Sequence, residues 1–373
     1  MRTLRMLLWI LLALIALPTI ALVLYFMLSP RIGSGPAGAR KARIEASPNF
    51  RDGKFQNVVP TNMDMPVGTI GKVMWEMLKG GDGREPDDTI PNVPFDRMAW
   101  EQLPDTGFAI AWFGHSSLLI KMDAITFLVD PVFGERASSF SFAGPKRFAY
   151  REHMRVDLLP KVDAVLISHD HYDHLDHETV LQLKDERFIV PLGVGAHLES
   201  WGVPSSAITE HDWWQTTHVA GVRLTLTPAR HFSGRALTNR FSTLWGSWVI
   251  EGKERRVLFG ADSGYDPTFK ELGSRFGKFD LALLECGAYD VRWSEIHMMP
   301  EETAQAAVDL NAAVLMPIHW AKFNLALHPW KEPIERLSIK AAELNVPLLT
   351  PALGRTVVGA DLTASVRWWE AAR

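Results

Sequence analysis

Ser168-His169-Asp170-His171-Tyr172-Asp173-His174-Leu175-Asp176 follows directly on the apolar run Asp163-Ala-Val-Leu-Ile167. That run has the length and branched-aliphatic content of a buried strand, so the polar stretch behind it is a strand-end turn. His169, His171, Asp173 and His174 stand at positions i, i+2, i+4 and i+5, which crowds three imidazoles and a carboxylate onto one tight turn. Divalent ions of the zinc type take such N and O ligands at ~2.0–2.2 Å. The bland alternative is a surface turn that carries histidines by accident. Four ligand-type residues so close together at the end of an apolar strand speak against it.

The pattern recurs along the chain. His231 closes Leu224-Thr-Leu-Thr-Pro-Ala-Arg-His231, Asp262 closes Val257-Leu-Phe-Gly-Ala-Asp262, and His319 closes Val314-Leu-Met-Pro-Ile-His319. A single histidine after a strand is usually a core or loop residue. Three ligand types in order behind the first turn are a constellation. Asp130, in Phe127-Leu-Val-Asp130-Pro, suits two roles: orienting a ligand histidine, or capping a turn. Asp176 suits a helix N-cap. Cys286, the single cysteine, excludes internal disulfides and reads as packing. His153, His197, His211, His218 and His328 read as surface or core.

Around these turns, strand-length runs fall at residues 108–112, 117–120, 125–129, 164–167, 187–190, 222–227, 247–250, 256–259 and 281–284. Helical patterns fall at 179–184, 300–310 and 332–344. Strands come first with few helices between them, and mixed units follow. The expectation is an α/β fold of two sheets covered by helices, over residues 106–373, and not a Rossmann alternation.

The N-terminal end is different. Residues 7–28 are apolar and uncharged, behind Arg2 and Arg5. As a helix rising ~1.5 Å per residue the run spans the ~30 Å hydrocarbon core of a bilayer. It is too long for the ~7–15-residue core of a signal peptide, so residues 1–28 are read as an uncleaved single-pass anchor, in a bacterial inner membrane. Basic residues flank both ends, so charge does not choose the side of the membrane that carries the catalytic domain. Residues 29–105 are expected to be a linker and extension. Within them, 29–45 read as a solvated juxtamembrane flank, 68–79 as a short amphipathic helix and 81–94 as a loop.

Further stretches sharpen the reading: Trp112-Phe-Gly-His115-Ser-Ser, Phe127-Leu-Val-Asp130-Pro-Val-Phe, Gly144-Pro-Lys-Arg-Phe148, Asp212-Trp-Trp214, Leu244-Trp-Gly-Ser-Trp248, Gly287-Ala-Tyr289, Arg292-Trp293, His297-Met-Met-Pro-Glu-Glu302 and Ile318-His-Trp320. With the HxHxDH…H…D…H order, over roughly residues 106–360, the chain resembles the metallo-β-lactamase superfamily. Within it, the chain is most similar to the N-acylphosphatidylethanolamine-hydrolysing phospholipase D family. The resemblance implies an αββα sandwich with two Zn2+ at one edge. It assigns His169, His171 and His231 to the first zinc and Asp173, His174 and His319 to the second, with Asp262 bridging. It implies that Asp173 also steers the nucleophile, and that His297 occupies a substrate-pocket position and assists the phosphate or the leaving group. His115 fits the family motif and equally suits a structural role. Glu285-Cys286 before Gly-Ala-Tyr departs from the family pattern.

The activity this implies is cleavage of N-acylphosphatidylethanolamine to phosphatidic acid and N-acylethanolamine. A phospholipid substrate suits a tethered enzyme. Some of the 14 tryptophans, Trp293 and Trp320 first, are expected to line an acyl-chain groove. The first rival is a lactonase-like hydrolase of a polar small molecule on the same metals. An RNA-processing nuclease is disfavoured by the net charge of −4, and no nucleic-acid partner is expected. A metal-binding scaffold without turnover is the rival from another class. A homodimer is compatible with the sequence and not demanded by it.

Overall fold

The computed structural model describes residues 2–236, 238–363 and 365–372. Helix α1 (Arg2–Leu28) is followed by α2 (Gly38–Glu45), a hairpin of β1 (Phe50–Arg51) and β2 (Lys54–Phe55), then α3 (Val67–Lys79) and α4 (Arg97–Glu101). The first half of the sandwich contains β3 (Phe108–Trp112), β4 (Leu118–Met122), β5 (Ile125–Val129), β6 (Ala164–Leu166), α5 (His177–Gln182), β7 (Phe188–Pro191), α6 (Gly195–Ser200) and β8 (Ile208–His211). The second half contains β9 (Thr216–Val219), β10 (Val222–Thr227), β11 (Ser247–Glu251), β12 (Arg256–Phe259), α7 (Thr268–Phe276), β13 (Leu281–Glu285), α8 (Pro300–Asp309), β14 (Leu315–Ile318) and α9 (Glu332–Glu343). The last strand, β15 (Thr356–Val358), returns to the first half.

One sheet has the order β15-β3-β4-β5-β6-β7-β8 and the other β14-β13-β12-β11-β10-β9. Strands β3, β4, β5, β11 and β13 are buried along their whole length, which is why they read as continuous apolar runs rather than alternating ones. Trp248 of β11 spans the gap between the sheets and donates its indole N–H to the Ile167 carbonyl at 2.9 Å. The expected α/β sandwich is therefore the fold. Strands β8 and β9 have polar sequences and carry no strong periodicity of their own. They form because β7 and β10 offer them an edge.

The stretch 29–45 is not a solvated flank. Arg40 of α2 bonds to Glu210 at 3.0 Å and to Glu199 at 2.7 Å, and Arg43 donates to the Glu210 carbonyl at 2.7 Å. Arg31 is buried and paired with Glu178. These acids lie far away in sequence, so the composition of the segment alone could not reveal them. Ile44, Phe55, Ile90 and Trp100 join the main core as well.

Helix α1 is apolar, exposed and long enough to cross a membrane; a signal sequence would have the same properties.

Candidate metal centre and active site

Seven parallel or paired strand ends deliver loops to one edge of the sandwich, and every sequence-singled ligand candidate sits there. The register explains this. Val129 pairs with Leu166, so the residues after β5 and β6 emerge together, and Leu283 pairs with Phe259 and Met316 to bring out the ends of β12, β13 and β14. The backbone at this edge is strained: His115, Asp130 and His319 have φ of 54°, 38° and 64°. Non-glycine residues seldom occupy that region, and when they do it is often at functional sites. Gly287 is required by contact, because a Cβ there would stand 2.3 Å from the His319 carbonyl oxygen.

Among the described residues the ligand-type atoms form overlapping groups, two of which hold the candidates from the sequence: His169, His171, His231 and Asp262 make one, and His115, Asp173, His174 and His319 make the other. Asp262 of the first also reaches His174 and His319 of the second. In the first group, His169 Nε2 and His231 Nε2 stand 2.9 and 3.2 Å from His171 Nδ1. In the second, Asp173 Oδ2 lies 2.8 Å from His115 Nε2 and 3.3 Å from His319 Nε2. Asp262 Oδ1 lies 3.1 Å from His174 Nε2, and its Oδ2 lies 3.1 Å from His319 Nε2.

The Nδ1 atoms of His231, His169 and His174 are committed, which fixes which of their lone pairs face inward. His231 Nδ1–H donates to the Ile296 carbonyl at 2.9 Å. The Ser168 hydroxyl donates to Asp130 at 2.5 Å and so accepts from His169 Nδ1 at 2.9 Å. His174 Nδ1–H donates to the Asp130 carboxylate at 2.7 Å. The two readings offered for Asp130 thus resolve in favour of orienting a histidine. Asp170, passed over in the sequence, accepts from Gly234 N, Thr243 and His197 and braces the turn from behind. Asp176 caps α5 as expected.

These residues fit divalent metals. His169 and His231 both direct lone pairs at one nitrogen of His171, a conflict a cation removes. The N···N separations are near the roughly 3.3 Å edge of a tetrahedron with ~2.0–2.1 Å bonds. His174 Nε2 and Asp262 Oδ1 are buried and face each other without a hydrogen bond. Burial holds His169 and His231 well below the usual imidazole range. Against burial, Asp262 and Asp173 push His319 up to about 10, the mark of an excess of buried negative charge.

Beside the cluster lies a cavity of about 350 Å3, lined by His171, Asp173 and His319 on one side and by Met63, Met77, Phe232, Trp293 and Leu325 on the other. His297 lines it too. Its Nδ1 donates to Glu285 at 2.6 Å, and Glu285 is fully buried and accepts from Ser263 N at 2.7 Å. Sequence reading noted Glu285 only as a departure from a pattern; an acid ending an otherwise apolar strand was the signal. Trp293 lines this cavity, whereas Trp320 is packed in the core between Trp112 and Trp368. Cys286 is buried, and its thiol is pushed well up by desolvation.

Residues 126–320 match the family described as the beta-lactamase superfamily domain. An uncharacterised protein of Mycobacterium tuberculosis is 41% identical over 351 residues, which cover 91% of this chain and 92% of that one. The N-acyl-phosphatidylethanolamine-hydrolyzing phospholipase D 1 of Caenorhabditis elegans is 33% identical over 268 residues, 67% of this chain and 74% of that protein. The crystal structure of an isothiocyanate hydrolase from Delia radicum gut bacteria superposes with a TM-score of 0.54 at 21% identity, over 67% of this chain and 98% of that one, and shares the fold. The strand-end ligand cluster and these likenesses agree: the chain is a metal-dependent hydrolase of the metallo-β-lactamase superfamily, close to the N-acylphosphatidylethanolamine-hydrolysing phospholipase D family.

Proposed function

We propose that this chain is a membrane-anchored dinuclear zinc phosphodiesterase that converts N-acylphosphatidylethanolamine to phosphatidic acid and N-acylethanolamine. One observation carries the reading: a doubled ligand cluster opens into a cavity whose wall away from the ligands is mostly methionine, phenylalanine, tryptophan and aliphatic side chains, with Arg240 and Arg292 as its charged groups. Arg240, stacked 4.6 Å over Phe232 at this cavity, adds a cation suited to an anionic headgroup. The C. elegans relative's name points to the same substrate.

His169, His171 and His231 would hold one zinc, Asp173, His174 and His319 the other, with Asp262 between them. Bound there, a pair of divalent ions supplies an activated water and neutralises the phosphodiester. In the net reaction a water oxygen joins phosphorus as the P–O bond to the ethanolamine oxygen breaks, and that leaving oxygen takes up a proton. Asp173, held by His115, orients the incoming water. His297 has Nδ1 committed to Glu285, which leaves Nε2 as the ring nitrogen able to pass the proton to the leaving group. The apolar walls hold the acyl chains and keep bulk water out.

The test uses the full-length protein, loaded with zinc, on vesicles that contain N-acylphosphatidylethanolamine, with products followed by mass spectrometry. Phosphatidic acid and N-acylethanolamine should appear together. His297→Ala should lower kcat by ~10^2–10^4-fold with metal content unchanged. Intact lipid despite two bound metals would overturn the reading in favour of a lactone or another small ester.

A further inference from the structure

The main chain of His231 is held by a side chain. This residue stands past the end of β10, outside any strand, and is buried. A buried peptide away from a ladder still needs an acceptor for its N–H and a donor for its carbonyl. Asn57 supplies both: its Nδ2–H donates to the His231 carbonyl at 2.8 Å, and its Oδ1 accepts from the His231 N–H at 3.1 Å. An asparagine amide carries the same kinds of donor and acceptor as a peptide, so it pairs with His231 as a neighbouring strand would. His319 is held differently, its N–H donating to the His115 carbonyl at 3.0 Å, one main chain to another.

The chain around Asn57 is fixed independently of the ligands. Phe55 of β2 is buried in the main core, and its N–H donates to the Phe241 carbonyl at 3.0 Å. Beyond Asn57, the Pro60 carbonyl and the Thr61 hydroxyl accept from Arg230 at 3.0 and 3.1 Å, and Arg230 also pairs with Glu295 at 2.7 Å. Arg230 immediately precedes His231, and Glu295 immediately precedes Ile296, whose carbonyl takes the His231 Nδ1–H. The ring is thus gripped by the loop before α8 and the main chain by the stretch after β2. The Ile296 bond fixes the tautomer but leaves the Cα that carries the ring free to shift. A ligand side chain must be held within ~0.5 Å of its working position, which calls for the second grip.

The fold repeats this clamp where no metal is at stake. Asn92 Nδ2–H donates to the Glu152 carbonyl at 2.9 Å, and Asn92 Oδ1 accepts from the Glu152 N–H at 2.8 Å. Glu152 lies outside the clusters of ligand-type atoms found among the described residues.

We propose that Asn57 is a positioning residue of the metal centre: by pairing with the N–H and the carbonyl of His231 it sets that ligand in the half built on His169, His171 and His231, and so makes the stretch after β2 part of that half. The proposal rests on the two-ion reading above. The test follows zinc leaving the full-length protein into excess chromogenic chelator, for the unsubstituted chain and for Asn57→Ala, Asn57→Asp, His231→Ala and Asn92→Ala. Two ions per chain should leave in two phases, and the phase missing from His231→Ala marks the half in question. Asn57→Ala should speed that phase ~10–100-fold and leave the other unchanged. Asn57→Asp, equal in size but without a donor for the carbonyl, should speed the same phase, and it decides the matter where the alanine variant fails to fold. Asn92→Ala loses the matching clamp and should change neither phase; an asparagine with a merely structural role would behave like it. Unchanged release in the Asn57 variants, or equal acceleration of both phases, overturns the proposal. A single ion per chain in the unsubstituted protein would remove the two-ion reading alone: Asn57 then stands if that ion leaves faster from its variants and not from Asn92→Ala, and falls otherwise.

Discussion

The two halves of the ligand cluster are backed differently. His169 and His231 lean on neutral acceptors, the Ser168 hydroxyl and the Ile296 carbonyl. His174 leans on the buried Asp130 carboxylate, and His319 is approached by Asp173, Asp262 and Glu285. A carboxylate behind a ligand imidazole raises its basicity and strengthens its grip on a metal. The half built on His174 and His319 should therefore keep its metal longer against a chelator than the half built on His169 and His231. Asp262, facing both, should matter to both.

The largest expected effect tests that last point. Asp262→Ala should strip metal from both halves and reduce turnover to the assay background, whereas His231→Ala should spare the metal held by His174 and His319. Metal per chain after gel filtration distinguishes the two. Equal losses in the two variants would break the picture of separable halves.

A smaller effect tests the asymmetry itself. Asp130→Asn keeps an amide oxygen for Ser168 N but loses the carboxylate that accepts from His174. Metal affinity at the His174 half should fall by ~10–100-fold, as read by dialysis against graded chelator, with the other half changed less. A uniform fall would mean that Asp130 braces the whole edge through Ser168 instead.

These same residues show what a sequence can disclose. The HxHxDH turn is local, so its chemistry is written in adjacent letters, and strand-end positions extended it to His231, Asp262 and His319. Partners across the fold were harder to read. Glu285 meets His297 only because β13 and the loop before α8 converge, and His115 reaches Asp173 only through a backbone turned to φ 54°. The 29–45 segment misled for a related reason: its arginines look solvated until Glu199 and Glu210 come to meet them. Apolar patterning located the buried strands, while β8 and β9, polar and edge-bound, depend on neighbours that no local window contains.

The smallest effect probes a cation placed behind the acidic half. Lys322 is buried, and its ammonium donates to the Phe113 carbonyl at 3.2 Å and to the Ser117 hydroxyl at 3.4 Å, with no carboxylate of the described residues paired to it. Desolvation lowers its pKa to about 7, against about 10.4 in an unfolded chain. Between those values the unfolded chain binds more protons than the folded one, so this group makes stability rise with pH and imposes its full penalty below pH 7. Lys322→Met removes that penalty, at most about 5 kcal/mol at 1.4 kcal/mol per pH unit, and gives up two hydrogen bonds of about 1 kcal/mol each. The variant should be the more stable one at pH 6, by up to about 3 kcal/mol, with the advantage shrinking toward pH 10. Urea unfolding of both proteins at the two pH values decides it. A variant weaker at pH 6 would mean that the acids of the neighbouring half reach Lys322 through the protein and hold it charged, which would make the ammonium part of that half's charge balance rather than a bystander.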